Sequence, residues 1–289
     1  MRGGAGGPSS SVTAPRSTPA PIPLQPLLLS LLRKLAERGA QVGFLHRLRY
    51  AVRGPSGAPE LLVVHGLGDS IAGWGRVLGQ LSRTHRVHIV DLPGHGLSPA
   101  PRDFHLQTLL DPLARYAEEL RAPVLVGHSL GGWLAARLAL LPESPAAGLV
   151  LVNPAGALLP RPDWTAFREL LESADARAYL ERAFHRAPLA LRLFPGEVAR
   201  GLSTPATRSF LAAIAAEDFL RDTELASLRI PVRIIWGEGD RLLPAGTLPF
   251  FRAHLQKAEV VTLPGAGHLP HLETPAELAR AIALPLRRA

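Results

Sequence analysis

Short runs of apolar residues recur along this chain and alternate with stretches in which apolar residues have helical spacing. Continuous apolar runs bounded by turn residues are typical of strands covered on both faces. They occur at 60–65, 87–91, 123–128, 147–153, 230–236 and 258–263, and a further strand is predicted over 44–53. Helical spacing marks residues 104–120, 130–141 and 275–286. Strands that alternate with helices predict an α/β fold with a mostly parallel central sheet and helices on both faces.

The alternation breaks after Asn153-Pro154. Residues 155–228 have helical patterning without strand signals and are rich in Leu and Phe. We predict an inserted helical cap over the C-terminal edge of the sheet, beneath which Trp164 and Phe167 bind substrate. The core then consists of residues 41–154 and 229–289.

The first forty residues have a different pattern. Residues 1–23 lack acidic side chains and have almost no large apolar ones, so they cannot offset the entropy of ordering and are predicted to form a disordered tail. An amphipathic helix is predicted over residues 24–40, because the leucines of this stretch recur at helical spacing. The leucine stripe within residues 27–38 either docks on the body of the protein or contacts a membrane surface.

Composition narrows the classes of partner. The formal net charge is +8, but 30 of the 32 basic residues are arginines scattered along the chain, without a block of like charges, so no nucleic-acid partner is expected. The longest apolar run, 27–32, is too short to span a membrane. The absence of cysteine excludes a disulfide framework, a thiolate metal site and a cysteine nucleophile, and a cytoplasmic location is favoured.

The segment 123–133 carries the strongest chemical signal. Its apolar strand runs directly into Gly127-His128-Ser129-Leu130-Gly131, the G-x-S-x-G pattern of a nucleophile elbow. A helix beginning at Leu130 would direct its N-terminal amides and dipole at negative charge developing above Ser129. The alternative interpretation is a glycine-flanked serine in an ordinary turn, so further members of a site are needed.

Asp240 and His268 supply those members, because each follows a predicted strand, as Ser129 does. The carboxyl ends of parallel strands meet at one edge of a sheet, where open α/β sheets bind ligands. A serine hydroxyl needs a base to remove its proton, so we expect His268 to be that base and Asp240 to orient its imidazole. His271 is the rival base, and Asp91 is interpreted as a turn residue that binds backbone.

A second loop, His65-Gly66-Leu67-Gly68, also follows a strand directly. Its position suits an oxyanion loop in which the backbone N–H of Leu67 joins that of Leu130 in holding a carbonyl oxygen. Gly66 and His128 are then expected to contact substrate. The alternative is a simple strand-ending turn.

Together these motifs resemble the α/β-hydrolase superfamily over roughly residues 45–286. The segments that carry the resemblance are 65–66, 91–98, 127–132, 236–240 and 267–268. The resemblance implies Ser129 as nucleophile, Asp240 as acid, His268 as base, and the amides of Leu67 and Leu130 as oxyanion hole. It implies no cofactor and no metal. The junction 153–156 and the apolar cap look more like the bacterial lipase and monoacylglycerol-lipase-like branch.

The expected function is therefore hydrolysis of a small-molecule carboxylic ester with an apolar acyl chain, through an acyl-serine intermediate. Acyl transfer on the same triad is an alternative. Carbon–carbon bond hydrolases of ring-cleavage pathways are another; they usually carry Trp after the catalytic histidine, where this chain has Leu269. Their dianionic substrates would need cap arginines, for which the candidates are Arg161, Arg168, Arg182, Arg186 and Arg192. A non-enzymatic scaffold is disfavoured because all three triad residues are present.

Overall fold

One eight-stranded sheet organises the chain. This computed structural model describes residues 30–287 except 32, 194, 197, 198 and 200–202. The strands are β1 (Gln41–Leu45), β2 (Leu48–Arg53), β3 (Glu60–Val64), β4 (Arg86–Asp91), β5 (Val124–His128), β6 (Gly148–Val152), β7 (Val232–Gly237) and β8 (Glu259–Leu263). Their order is β1-β2-β4-β3-β5-β6-β7-β8, and β3 to β8 are parallel. The predicted α/β fold with a mostly parallel sheet is confirmed.

The single strand predicted over 44–53 is wrong. Two antiparallel strands, β1 and β2, occupy this stretch and form a hairpin at one edge of the sheet. His46 and Arg47 make its turn with φ angles of +48° and +66°. Such two-residue turns need positive φ at both central positions and usually carry Asn or Gly there, so His-Arg gives no turn signal in the sequence.

Helices cover both faces of the sheet. They are α1 (Gly75–Leu81), α2 (Leu106–Glu118), α3 (Leu130–Ala139), α4 (Arg161–Ser173), α5 (Ala176–Ala183), α6 (Leu189–Leu193), α7 (Pro205–Ala213), α8 (Asp222–Ala226), α9 (Thr247–His254), α10 (Pro270–Glu273) and α11 (Pro275–Ala283). Successive strand residues point to opposite faces. In β3, Leu62 and Val64 therefore pack with the layer containing α2 and α3, while Leu61 and Val63 pack with α1 and α11.

The helices α4 to α8 lie between β6 and β7, where the alternating pattern breaks. The half-buried side chain of Arg137 in α3 ties this insertion to the helix that follows Ser129. Arg137 donates from Nη2 to the carbonyl oxygens of Asp218 and Phe219, at 2.7 and 2.9 Å, and pairs with Glu224 of α8. Trp133 of α3 donates to the Asp218 carbonyl as well, at 3.0 Å. The insertion is thus tied directly to the helix that begins at Ser129.

The predicted tail, residues 1–23, lies outside the described residues, as does the first part of the helix predicted over 24–40. Residues 33–36 are helical. Ala36 is buried close to Gly75, whereas Leu31 and Leu35 are 54% and 57% exposed. Within the described residues, no helix combines the length and apolar character needed to cross a bilayer.

Candidate active site

Ser129 lies on the sharp turn that joins β5 to α3. Its φ and ψ are +52° and −118°, a conformation that L residues rarely adopt. The turn requires close backbone approach: a Cβ at Gly127 would collide with the carbonyl of Gly131, and one at Gly131 with that of Val64. The glycines on either side of the serine are therefore steric requirements, and they hold Ser129 at the edge of the sheet.

The structure brings Ser129, His268 and Asp240 together in one series of hydrogen bonds. The Nε2 atom of His268 lies 2.9 Å from the hydroxyl oxygen of Ser129. Its Nδ1 atom lies 2.8 Å from Oδ2 of Asp240. Because a carboxylate only accepts, Nδ1 carries the proton and the Nε2 lone pair faces the serine hydroxyl. This tautomer can accept the proton of Ser129.

The Asp240 carboxylate is fully buried and has four donors around it. Oδ1 accepts from the amides of Leu242 and Leu243 at 2.9 and 3.2 Å. Oδ2 accepts from the side-chain amide of Asn153 at 2.7 Å in addition to His268. Such donors compensate the loss of hydration that burial imposes on a carboxylate.

Asn153 is a site residue that the sequence analysis did not identify, since it was interpreted only as the point where the strand pattern breaks. It follows β6 with a φ of +41° and is fully buried. Its Oδ1 accepts from the amide of Gly237 at 3.2 Å, so the side chain bridges β7 and the Asp240 carboxylate. A polar residue directly after a central strand is the signal that could have identified it.

The loop 65–68, which was predicted to be an oxyanion loop, is held by the buried imidazole of His65. Its Nε2 accepts from the amide of Leu92 at 3.0 Å, so its Nδ1 carries the proton and donates to the carbonyl of Gly66 at 2.8 Å. Burial lowers the pKa of His65, which favours this neutral form. The amides of Leu67 and Leu130, predicted as oxyanion donors, have no acceptor among the described residues.

The rival base His271 and the turn residue Asp91 have other partners. The hydroxyl of Ser129 is hydrogen-bonded to His268, whereas Nε2 of His271 lies 3.3 Å from Oδ2 of Asp69. Asp91 accepts from the amides of Ile71 and Leu97 at 2.8 and 2.9 Å. Burial raises the pKa of Asp91. Its interactions fit the predicted role of a backbone-binding loop residue.

A cavity of about 1030 Å³ opens above Ser129. The predicted substrate residues Gly66, His128, Trp164 and Phe167 all line it. The insertion contributes further apolar side chains that the sequence analysis did not single out as lining residues: Leu171, Leu180, Phe184, Leu191, Phe210, Leu211, Ile214 and Phe219. The wall of the cavity is therefore mostly apolar, while Ser129, His268 and the loop 66–68 supply polar groups.

A second cavity, of about 880 Å³, adjoins the first and shares Leu180 and Phe184 with it. We call it the arginine groove, because its lining includes Arg177, Arg182, Arg186, Arg192 and Arg241. Arg177 pairs with Glu181 at 3.0 Å, whereas Arg182, Arg186 and Arg192 have no ion-pair partner among the described residues. Of the other predicted arginines, Arg168 lines the active-site cavity, and the side chain of Arg161 is outside the described part.

Known proteins are similar to this chain in sequence and fold. Residues 61–281 match the model of the alpha/beta hydrolase family. A pimeloyl-[acyl-carrier protein] methyl ester esterase of Nitrosomonas europaea is 34% identical over 238 residues, which cover 75% of this chain and 91% of the relative. The esterase of the same name from Aeromonas salmonicida is 28% identical over 246 residues, covering 78% and 94%. Carboxylesterase CesB from Bacillus subtilis has a TM-score of 0.71 at 20% identity, covering 89% and 96%, and so shares the fold.

Replacing Asn153 tests its role as a positioning residue for Asp240. Asn153→Ala removes the 2.7 Å hydrogen bond to the carboxylate. A hydrogen bond to a charged group contributes about 1.5–3 kcal/mol, so kcat should fall roughly tenfold to a hundredfold. KM should change little, because Asn153 does not line the cavity. Circular dichroism checks folding, and the exposed Gln256→Ala is the control; an unchanged kcat in folded Asn153→Ala would contradict this role.

Proposed function

Because this chain belongs to the alpha/beta hydrolase family, we propose that it hydrolyses carboxylic esters through an acyl intermediate on Ser129. The observation that carries the proposal is the hydrogen-bond series from Asp240 through His268 to Ser129, at 2.8 and 2.9 Å. Relatives named as methyl ester esterases support the same reaction class.

In the proposed reaction, Nε2 of His268 takes the proton of Ser129 as its oxygen attacks the ester carbonyl carbon. The amides of Leu67 and Leu130 stabilise the negative oxygen that forms. The tetrahedral intermediate collapses, the ester C–O bond breaks, and His268 donates the proton to the departing alcohol. Water then attacks the acyl-serine with His268 again as base, which releases the acid and restores Ser129; an alcohol in place of water gives acyl transfer.

The acyl group is proposed to be an apolar chain. The insertion surrounds the cavity with aromatic and aliphatic side chains, and Trp164 packs against both Phe167 and Phe219 with ring centroids 5.4 and 4.8 Å apart. Ligand sites of this kind gain affinity from burial of apolar surface, while a few polar groups fix orientation. In this role the insertion is the substrate-binding cap expected over residues 155–228.

Substitution of the triad tests the reaction. Ser129→Ala, Asp240→Ala and His268→Ala should each lower kcat by at least about a thousandfold, because the three side chains act as one unit. The matched controls are Ser209→Ala, an exposed serine of α7, and His254→Ala of α9, which should retain activity. Steady-state kinetics on p-nitrophenyl butyrate measure the effect. Wild-type turnover by folded Ser129→Ala would show that another nucleophile is used.

A series of p-nitrophenyl esters from acetate to palmitate tests the acyl specificity. Each buried methylene contributes about 0.8 kcal/mol, so kcat/KM should rise by up to about fifteenfold per two carbons until the cavity is full. A vinylogous diketone acid, the substrate type of carbon–carbon bond hydrolases, should react slowly. Flat or falling rates along the series, together with rapid cleavage of the diketone acid, would instead favour carbon–carbon bond hydrolysis.

A methyl ester carried on an acyl-carrier protein is the second candidate substrate. The relatives from Nitrosomonas europaea and Aeromonas salmonicida are named for such an ester. The observation that favours it here is the arginine groove, which adjoins the cavity and offers three cationic side chains without ion-pair partners in the described part of the chain. Guanidinium groups in such an arrangement suit an anionic partner.

Comparison of a carrier-linked acyl methyl ester with the same methyl ester free in solution tests this candidate. We expect a higher kcat/KM for the carrier-linked ester, and we expect the preference to fall as salt screens the arginines. Arg186→Glu with Arg192→Glu should reduce the preference at least tenfold, whereas the remote, exposed Arg83→Glu should preserve it. No preference for the carrier-linked ester in wild type would rule the candidate out.

Contact of residues 27–38 with a membrane surface is proposed as well. Leu31 and Leu35 are more than half exposed, and Phe44 of the neighbouring edge strand is 60% exposed. Arg33, Lys34 and Arg38 lie close to these leucines in the sequence and would favour binding to anionic lipid.

Sedimentation with anionic vesicles tests this contact. The wild-type protein should sediment with the vesicles in a salt-sensitive way, the double variant Leu31→Ser, Leu35→Ser should not, and the control Leu189→Ser should. Absence of sedimentation in wild type would contradict the contact.

A further inference from the structure

Three side chains from separate segments of the chain meet close to the loop 65–68. Asp69, His128 and His271 each place one potential ligand atom within 4.8 Å of the other two. Asp69 follows the oxyanion loop, His128 ends β5, and His271 lies in α10. All three also line the active-site cavity, so the cluster is reachable from it.

One ring nitrogen of His128 keeps a free lone pair. Its Nε2 lies 2.7 Å from the backbone carbonyl oxygen of His268, and since a carbonyl only accepts, Nε2 carries the proton. The unprotonated Nδ1 is buried and has no hydrogen-bond partner among the described residues. Metal-binding histidines commonly show this arrangement, with one ring nitrogen donating to a backbone carbonyl and the other bound to the ion.

Asp69 and His271 are fixed in place by Trp74. The indole N–H of Trp74 donates to Oδ2 of Asp69 at 2.9 Å, and the rings of Trp74 and His271 stack with centroids 4.7 Å apart. Nε2 of His271 lies 3.3 Å from the same carboxylate oxygen, while its Nδ1 is buried without a partner in the described part of the chain. Each of the two buried imidazoles thus keeps one ring nitrogen without a hydrogen-bond partner in the described part of the chain, and Nε2 of His271 faces the Asp69 carboxylate.

We propose that Asp69, His128 and His271 bind a divalent transition-metal ion, with Zn²⁺ as the best fit to two imidazoles and a carboxylate. Tetrahedral zinc places its ligand atoms about 3.4 Å apart. The cluster needs its longest separation to shorten by no more than about 1.5 Å to reach that geometry. Three protein ligands leave a fourth position for water or for a ligand in the cavity.

The ion would inhibit the proposed hydrolysis rather than drive it. The rings of His128 and His268 have centroids 5.0 Å apart. A dication bound to His128 would disfavour the positive imidazolium that His268 becomes when it accepts the proton of Ser129. This consequence rests on the proposed function, whereas the binding site itself does not.

Isothermal titration calorimetry of chelator-treated, untagged protein with Zn²⁺ tests the site directly. We expect one ion per chain with micromolar affinity in wild type. Asp69→Asn and His271→Gln should each weaken binding at least tenfold, as loss of one ligand of three does, while His254→Gln should not. Absence of binding in the wild-type protein would overturn the proposal. Wild-type affinity in both Asp69→Asn and His271→Gln would overturn it as well.

Two further measurements separate the site from the reaction. Co²⁺ added to the wild-type protein should produce the visible absorption of cobalt with four nitrogen and oxygen ligands. Absorption of six-coordinate cobalt alone would contradict the site. This measurement needs no variant, so it tests the site even where a variant fails to fold. Saturating Zn²⁺ should lower kcat for p-nitrophenyl butyrate at least tenfold. Tight binding of Zn²⁺ without inhibition would support the site and contradict its effect on His268. Lack of esterase activity in the metal-free protein would contradict the proposed function but not the metal site.

Discussion

The backbone conformation of Ser129 is the constraint on which the rest of this structure depends. A residue at φ +52° and ψ −118° persists only where its surroundings hold it there. Here β5 fixes one side, α3 fixes the other, and backbone from β3 approaches so closely that only glycine fits at Gly131. The same geometry places the serine hydroxyl 2.9 Å from Nε2 of His268 and starts a helix directly after the serine. In the proposed reaction, this turn positions the nucleophile, and the amide of Leu130 is one oxyanion donor.

Buried polar groups connect this turn to the rest of the site, and each has a specific partner. Asn153 joins the end of β6 to the Asp240 carboxylate, and His65 joins the oxyanion loop to the backbone after β4. His128 holds the carbonyl of His268. In the proposed reaction these side chains do not react; they fix the loops at the carboxyl edge of the sheet to one another. Removing one partner would leave a buried polar group unpaired and lower the stability of the fold.

The sequence was informative where a local pattern has one structural solution. The glycine-flanked serine after an apolar strand predicts the elbow, and strand-end positions place Asp240 and His268 at the same edge. It was uninformative where the partner is distant along the chain or the turn lacks its usual residues. His46-Arg47 gives no hairpin signal, and the amide of Asn153 meets Asp240 across 87 positions of sequence. The cluster of Asp69, His128 and His271 likewise needs three separate segments to converge, which no spacing along the chain reveals.

Covalent trapping of Ser129 tests the central claim most directly. The protein would be treated with a fluorophosphonate, digested, and analysed by mass spectrometry to locate the adduct. A serine activated by His268 should react once per chain, on the peptide that contains Ser129, and His268→Ala should react far more slowly. Absence of an adduct in active wild-type protein, or an adduct on another residue that accounts for the loss of activity, would contradict the assignment of Ser129 as the nucleophile.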